Sequence, residues 1–121
     1  MSDNYKTHAR KLVYLACPYS HPDASVREAR FLAANKAAAR LMAKGEFVFS
    51  PISHTHPIAV AGDLPLGWDF WEAYDRAILA ACGAIVVLRI DGWEKSKGVT
   101  AELQIAKQMG LEVRWMEGQE D

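Results

Sequence analysis

Hydrophobic residues in this chain fall into four short continuous runs separated by longer stretches of mixed character. The runs are Lys11 to Cys17 (KLVYLAC), Glu46 to Ser50 (EFVFS), Ala84 to Ile90 and Leu111 to Met116. Each ends at Pro, Gly or a polar residue, as buried strands do. Between the first two runs, Asp23 to Lys44 is rich in Ala, Leu, Arg and Lys. Apolar positions recur there at Val26, Ala29, Ala33, Ala37 and Leu41, and Gly45 stops the pattern, so the spacing predicts a helix. Trp68 to Cys82 reads as a second helix, and Ser96 to Met109, ended by Gly110, as a third. Residues 51 to 67 hold Pro51, Pro57, Gly62, Pro65 and Gly67. They predict a long loop with room for one helical turn, a length usually tied to function or disorder. A short loop, Asp91 to Lys95, follows the third strand. The polar ends, residues 1–10 and 117–121, are expected to fray.

The order βαβαβαβ, without repeats or linkers, predicts a single α/β domain over 1–121. Continuous apolar strands alternating with helices imply a parallel sheet covered on both faces. Right-handed crossovers favour the strand order 2-1-3-4, a three-layer Rossmann- or flavodoxin-like arrangement. Its connections diverge between the first and third strands and open a crevice at their carboxyl ends. Cys17 to His21 and Ile90 to Ser96 are expected to line it.

Composition narrows the partners. Half of the 121 residues are apolar, 24% are charged, and the net charge is −1. That balance argues against a nucleic-acid polymer or a polybasic membrane contact, yet leaves single nucleotides open. No apolar run approaches a membrane span, and Met1 to Lys11 lacks the apolar core of a signal peptide. Cys17 and Cys82, far apart in apolar surroundings, read as buried free thiols of a cytoplasmic protein.

Two carboxylates break the pattern of their helices. Asp75 lies along the apolar stripe Trp71, Ile78, Leu79 and Cys82, while Asp69, Glu72 and Arg76 occupy the polar face. Glu102 sits on the stripe Val99, Leu103, Ala106 and Gly110. An unpaired buried acid raises its pKa or finds a partner. Paired acids in different environments are also the equipment of glycosidic chemistry, one protonating the leaving group while the other attacks. The plainer alternative is that each acid pairs with a basic residue or a backbone group. Asp75 lies about 10 Å into its helix at 1.5 Å per residue, so contact with a ligand demands a deep pocket. Gly98, one turn before Glu102, leaves space for a ligand or merely eases helix entry. Ser96 is a good N-cap, and with Lys95 and Lys97 it offers either a phosphate seat or a structural cap. Tyr14, mid-strand, either hydrogen-bonds a carboxylate or fills core. His54 and His56 would share one side of an extended chain, with His21 across the crevice. They suit contacts to a base or phosphate, or loop packing, better than a metal, because no third ligand stands at a recognisable spacing. Trp68, Trp71 and Trp93 offer stacking faces or packing.

These positions coincide with a family pattern. The segments VYLACPYSHPD, WDFWEAYDRAILAACGAIVVL and DGWEKSKGVTAELQIAKQMGLEV resemble those of the nucleoside 2-deoxyribosyltransferase-like superfamily over roughly residues 11 to 115. The likeness is greatest to its short uncharacterised bacterial and phage branches, and it extends to the nucleoside 5′-monophosphate N-hydrolases. The resemblance implies Glu102 as a nucleophile attacking C1′ of a sugar, Asp75 as the acid at the leaving base, and Tyr14 as the residue positioning Glu102. Ser96 stands where the hydrolases carry a phosphate-binding Ser. Cys17, Pro18, Tyr19, Ser20, His21, His54, His56, Trp93, Lys97 and Gly98 complete the expected substrate contacts. The turn Cys17-Pro18-Tyr19-Ser20 departs from the Gly-rich turn of the hydrolases. No metal or organic cofactor is implied, and a homodimer or larger homo-oligomer is. The alternatives are deoxyribosyl transfer between bases and a non-catalytic nucleotide-binding sensor.

Overall fold

A computed structural model describes residues 11–118. In chain order the elements are β1 (Leu12–Ala16), α1 (Ala24–Ala43), β2 (Phe47–Phe49), α2 (Pro51–Gly62), α3 (Trp68–Ala80), β3 (Ala84–Arg89), a 3-10 turn (Trp93–Lys95), α4 (Lys97–Gln108) and β4 (Glu112–Glu117). The four strands form one all-parallel sheet in the order β2-β1-β3-β4, the α/β arrangement expected from the alternation of runs. The stretches 1–10 and 119–121, expected to fray, lie outside the described residues. Glu117 does not belong to a frayed tail: it ends β4, in register with Arg89, and accepts a charge-assisted hydrogen bond from that side chain at 2.8 Å.

Side chains of a strand alternate between faces, and the two central strands use this to build two cores. Val13, Leu15 and Cys17, with Ala84, Val86 and Leu88, pack under Ala34, Ala37, Ala38 and Leu41 of α1. Tyr14, Ala16, Ile85 and Val87 face the other way, toward Leu79 of α3 and Val99, Ile105 and Ala106 of α4. Cys17 and Cys82 are buried free thiols, one in each core.

The buried face of α1 differs from the expected stripe. Ala29 is exposed and Val26 only half-buried, whereas Ala34 and Ala38 are buried. Length explains this. A 20-residue helix spans about 30 Å, whereas the five-residue β1 spans about 17 Å. The first turns of α1 overhang the carboxyl edge of the sheet, so small residues there have no strand to cover.

Residues 51–67 depart furthest from expectation. Most of the predicted loop is the helix α2, and only 63–67 connect it to α3. Pro51 stands in the first turn, where a missing N–H costs nothing. Pro57 lies inside the helix and forfeits one backbone bond; burial of Ile52, His56 and Ala59 on the opposing face offsets that loss. Asp63, in the left-handed region at φ 53, ends it. The predicted loop 91–95 likewise contains a 3-10 turn, entered through Gly92 at φ 91. No helix among the described residues is long and apolar enough to cross a membrane.

Ala37 is 1% exposed against the sheet, while Ala39 faces outward. Ala37→Leu is expected to lower the unfolding free energy by about 1–3 kcal/mol through overpacking. Ala39→Leu is expected to stay within about 0.5 kcal/mol of the parent. Urea denaturation of the two variants checks the packing face of α1.

Candidate active site

Beside the carboxyl end of β1 lies a half-open cavity of about 420 Å³, within the range of small-molecule sites. Glu102 from α4, Asp75 from α3, and Leu15 and Cys17 from β1 line it. One wall is the inner face of α2, with Ile52, Thr55 and Ala59; the other comprises Leu66, Gly67, Trp68 and Trp71. Lys95, Ser96, Lys97 and Gly98 bring the entry of α4 to the cavity, and Tyr19 and Ser20 bring the turn after β1. The strap 63–67 is held from both sides. Ser20 donates its hydroxyl to the Leu66 carbonyl at 2.7 Å, and the Trp71 indole donates to the Pro65 carbonyl at 2.9 Å.

Glu102 and Asp75 are both buried, 7% and 8% exposed. Neither forms an ion pair with a lysine or arginine among the described residues, so the plainer alternative of a basic partner does not hold. Their partners are each other and Tyr14. The Tyr14 hydroxyl, fully buried beneath the cavity, donates to Glu102 Oε2 at 2.8 Å. Asp75 lines the same cavity, and its charge is felt by both Glu102 and Tyr14.

Burial, then the Asp75 charge and its hydrogen bond, hold the Glu102 carboxyl well above the usual range; the Tyr14 hydroxyl opposes this. Burial also raises Asp75, against the opposing effect of hydrogen bonds from Glu102 and Tyr14. Burial and the two neighbouring acids keep the Tyr14 phenol protonated. Two adjacent carboxylates cannot both ionise cheaply, so the pair favours sharing one proton, with Glu102 the more strongly raised of the two.

The α4 entry is shaped for access to that pair. The Ser96 hydroxyl accepts from the Val99 N–H at 3.1 Å and caps the helix, and it keeps its own proton to donate. A Cβ at Gly98 would stand 3.7 Å from Trp68 Cε3 and 3.9 Å from Ser96 Oγ. Glycine therefore keeps the space between the indole and the cap free of a side chain. Cys17, whose thiol points to the Pro18 carbonyl at 3.4 Å, is pushed by burial up to about 12 and is an inert wall.

Several expected contacts lie elsewhere. Pro18 is buried and His21, whose Nδ1 accepts from the Asp23 N–H at 3.0 Å, lies off the lining. Trp93 packs edge-on against Trp115 at 5.8 Å and supports the α3/α4 core. His54 and His56 do not share a side, because they stand on a helix and not on extended chain. Two residues turn an α-helix by about 200°. His54 is exposed, while His56 is buried between α2 and α1 and bonds Tyr19 and Glu28. Among the described residues no three His, Cys, Asp or Glu side chains gather into a set that could hold a metal ion.

Residues 11–118 match the family described as a domain of unknown function, DUF1937. The chain belongs to that family. No match was found among curated proteins. The DUF1937 chain thus keeps its cavity, its cap and its acid pair within the matched region. The α2 wall is the part sequence reasoning missed, and Ile52, His56 and Ala59 carried its signal at i, i+4 and i+7.

Burying Glu102 favours its protonated form, so the folded state binds more protons than the unfolded chain above the ordinary Glu range. This group's contribution to stability is therefore fullest below about pH 4 and is lost as pH rises toward the elevated value. Glu102→Gln removes that pH-dependent loss. Its stability relative to the parent, measured by denaturant unfolding, is expected to grow as pH rises above about 4. A constant difference would contradict the shifted carboxyl.

Proposed function

We propose that this protein cleaves the N-glycosidic bond of a nucleoside 5′-monophosphate or nucleoside, with Glu102 as nucleophile and Asp75 as acid. The proton shared by two buried, tyrosine-anchored carboxylates in a ligand-sized cavity carries this reading. A protein that only binds an anionic nucleotide gains nothing from a buried acid pair. A carboxyl group held by a tyrosine beside a second buried acid suits a double displacement through a covalent intermediate.

In this reading the ligand's base nitrogen draws the shared proton across to Asp75, and Glu102 is left anionic at the moment it is needed. Asp75 then gives the proton to the departing base while a Glu102 oxygen bonds C1′. The C1′–N bond breaks, and its electron pair leaves with the base. Water next attacks C1′ and loses a proton to Asp75, and Glu102 departs as a carboxylate. Tyr14 steadies the Glu102 oxygen throughout, as the resemblance to nucleoside 2-deoxyribosyltransferases suggests. Lys95, Lys97 and the Ser96 hydroxyl suit the 5′-phosphate. The reaction needs no cofactor. Buried thiols at Cys17 and Cys82 support a cytoplasmic setting. The partly exposed ring chain Phe70–Trp71–Tyr74 supports a homo-oligomer.

Incubation with a panel of ribo- and deoxyribonucleoside 5′-monophosphates, followed by chromatography, is expected to yield free base and sugar phosphate. Base exchange on adding a second base would instead mean transfer, and binding without turnover would mean a sensor. Glu102→Ala is expected to lose about a thousandfold or more in kcat, and Asp75→Asn about 10²–10⁴-fold. Full turnover in Glu102→Ala would refute the mechanism.

Gly98→Ala tests access separately from chemistry. Its Cβ clashes with nothing, and helix propensity favours Ala by up to about 1 kcal/mol. The variant is expected to melt no lower than the parent while KM rises severalfold. An unchanged KM would place the ligand away from the α4 entry.

A further inference from the structure

Across the cavity from the acid pair, three side chains from three elements form a chain that the proposed chemistry does not use. Glu28 of α1, over half exposed at its side chain, stands 2.9 Å from His56 Nε2. The other ring nitrogen, His56 Nδ1, meets the Tyr19 hydroxyl at 2.5 Å. The imidazole is clamped by Phe31, whose ring centroid lies 4.5 Å away, and by the edge-on Tyr19 ring at 5.4 Å. His56 is buried, and Tyr19 lines the cavity.

The hydrogen-bond inventory gives this chain a direction. A carboxylate only accepts, so in the neutral ring the Glu28 contact draws the proton to Nε2 and leaves Nδ1 as an acceptor. Tyr19 must then spend its only proton on Nδ1. What the phenol oxygen retains for the cavity is acceptor capacity alone.

We propose that Tyr19, polarised by the Glu28–His56 pair, is a specificity-determining residue that accepts a hydrogen bond from an exocyclic amino group of the ligand's base. This rests on the nucleotide reading above, which seats the phosphate at the α4 entry and C1′ at Glu102. The base then extends to the side of the cavity walled by α2 and Tyr19. An oxo group in place of the amino group would set two acceptors against each other. Aminopurine and aminopyrimidine nucleotides are therefore preferred over their oxo counterparts.

The probes are matched pairs differing at one position: dAMP against dIMP, and dCMP against dUMP, titrated calorimetrically into the intact protein and into Tyr19→Phe. The parent is expected to bind the amino member of at least one pair about tenfold more tightly, the worth of one good hydrogen bond. In Tyr19→Phe that ratio is expected to fall to about one. A ratio unchanged in Tyr19→Phe, or oxo members favoured by the parent, would overturn the role of Tyr19 while leaving the nucleotide reading intact. If none of the four binds the parent, the nucleotide reading fails and takes this proposal with it. Nitrogen-15 NMR of His56 reads the premise without any ligand. A proton on Nε2 and a bare Nδ1 is the expected state, and a proton on Nδ1 would overturn the proposal.

Discussion

The structure is organised around the burial of two carboxylates that no lysine or arginine among the described residues pairs with. Leaving both charged in the interior would cost several kcal/mol for each uncompensated ion. The fold avoids that cost by letting Glu102 and Asp75 share a proton and by aiming the Tyr14 hydroxyl at Glu102. Each participant is placed by rigid structure. Tyr14 comes from a central strand, Asp75 lies two turns into α3, and Glu102 follows a capped helix start with Gly98 before it. The arrangement costs stability, as functional sites commonly do, and the proton it holds is the one that the proposed glycosidic chemistry would consume and return.

The two sheet faces divide the work. The α3/α4 face supplies the acids and the cationic entry. The α1/α2 face supplies the opposing wall, where the overhanging first turns of α1 bring Glu28 and Phe31 against His56. The cavity lies where the crossovers from β1 and β3 part, the place at which open α/β sheets bind ligands. Because α2 docks through His56 directly beside Tyr19, wall placement and wall polarity depend on the same contacts.

Much of this was legible in the sequence because its signals were periodic or locally anomalous. Apolar runs gave the strands, and acids on apolar stripes singled out Asp75 and Glu102. The 51–67 segment reads as a loop only when Pro and Gly are weighed as breakers without regard to position: Pro51 starts a helix, Gly62 falls in its last turn, and Pro57 is tolerated through packing that only tertiary structure shows. That error carried the histidines with it, since a helix sends His54 and His56 to opposite sides. The α1 stripe was misplaced because periodicity says which residues share a face, not how far the sheet extends beneath them. The Tyr19–His56–Glu28 chain joins three elements, and no local pattern announces such a contact.

The shared proton is the claim on which the chemistry rests, and carbon-13 NMR of the carboxyl groups observes it directly. With side-chain carboxyls labelled and Asp75 and Glu102 assigned through their Asn and Gln variants, the account predicts two coupled titration steps. The later step should lie well above the ordinary carboxylate range, with Glu102 as the principal proton holder near neutrality. Two independent steps near pH 4, each at the value of an exposed acid, would contradict it.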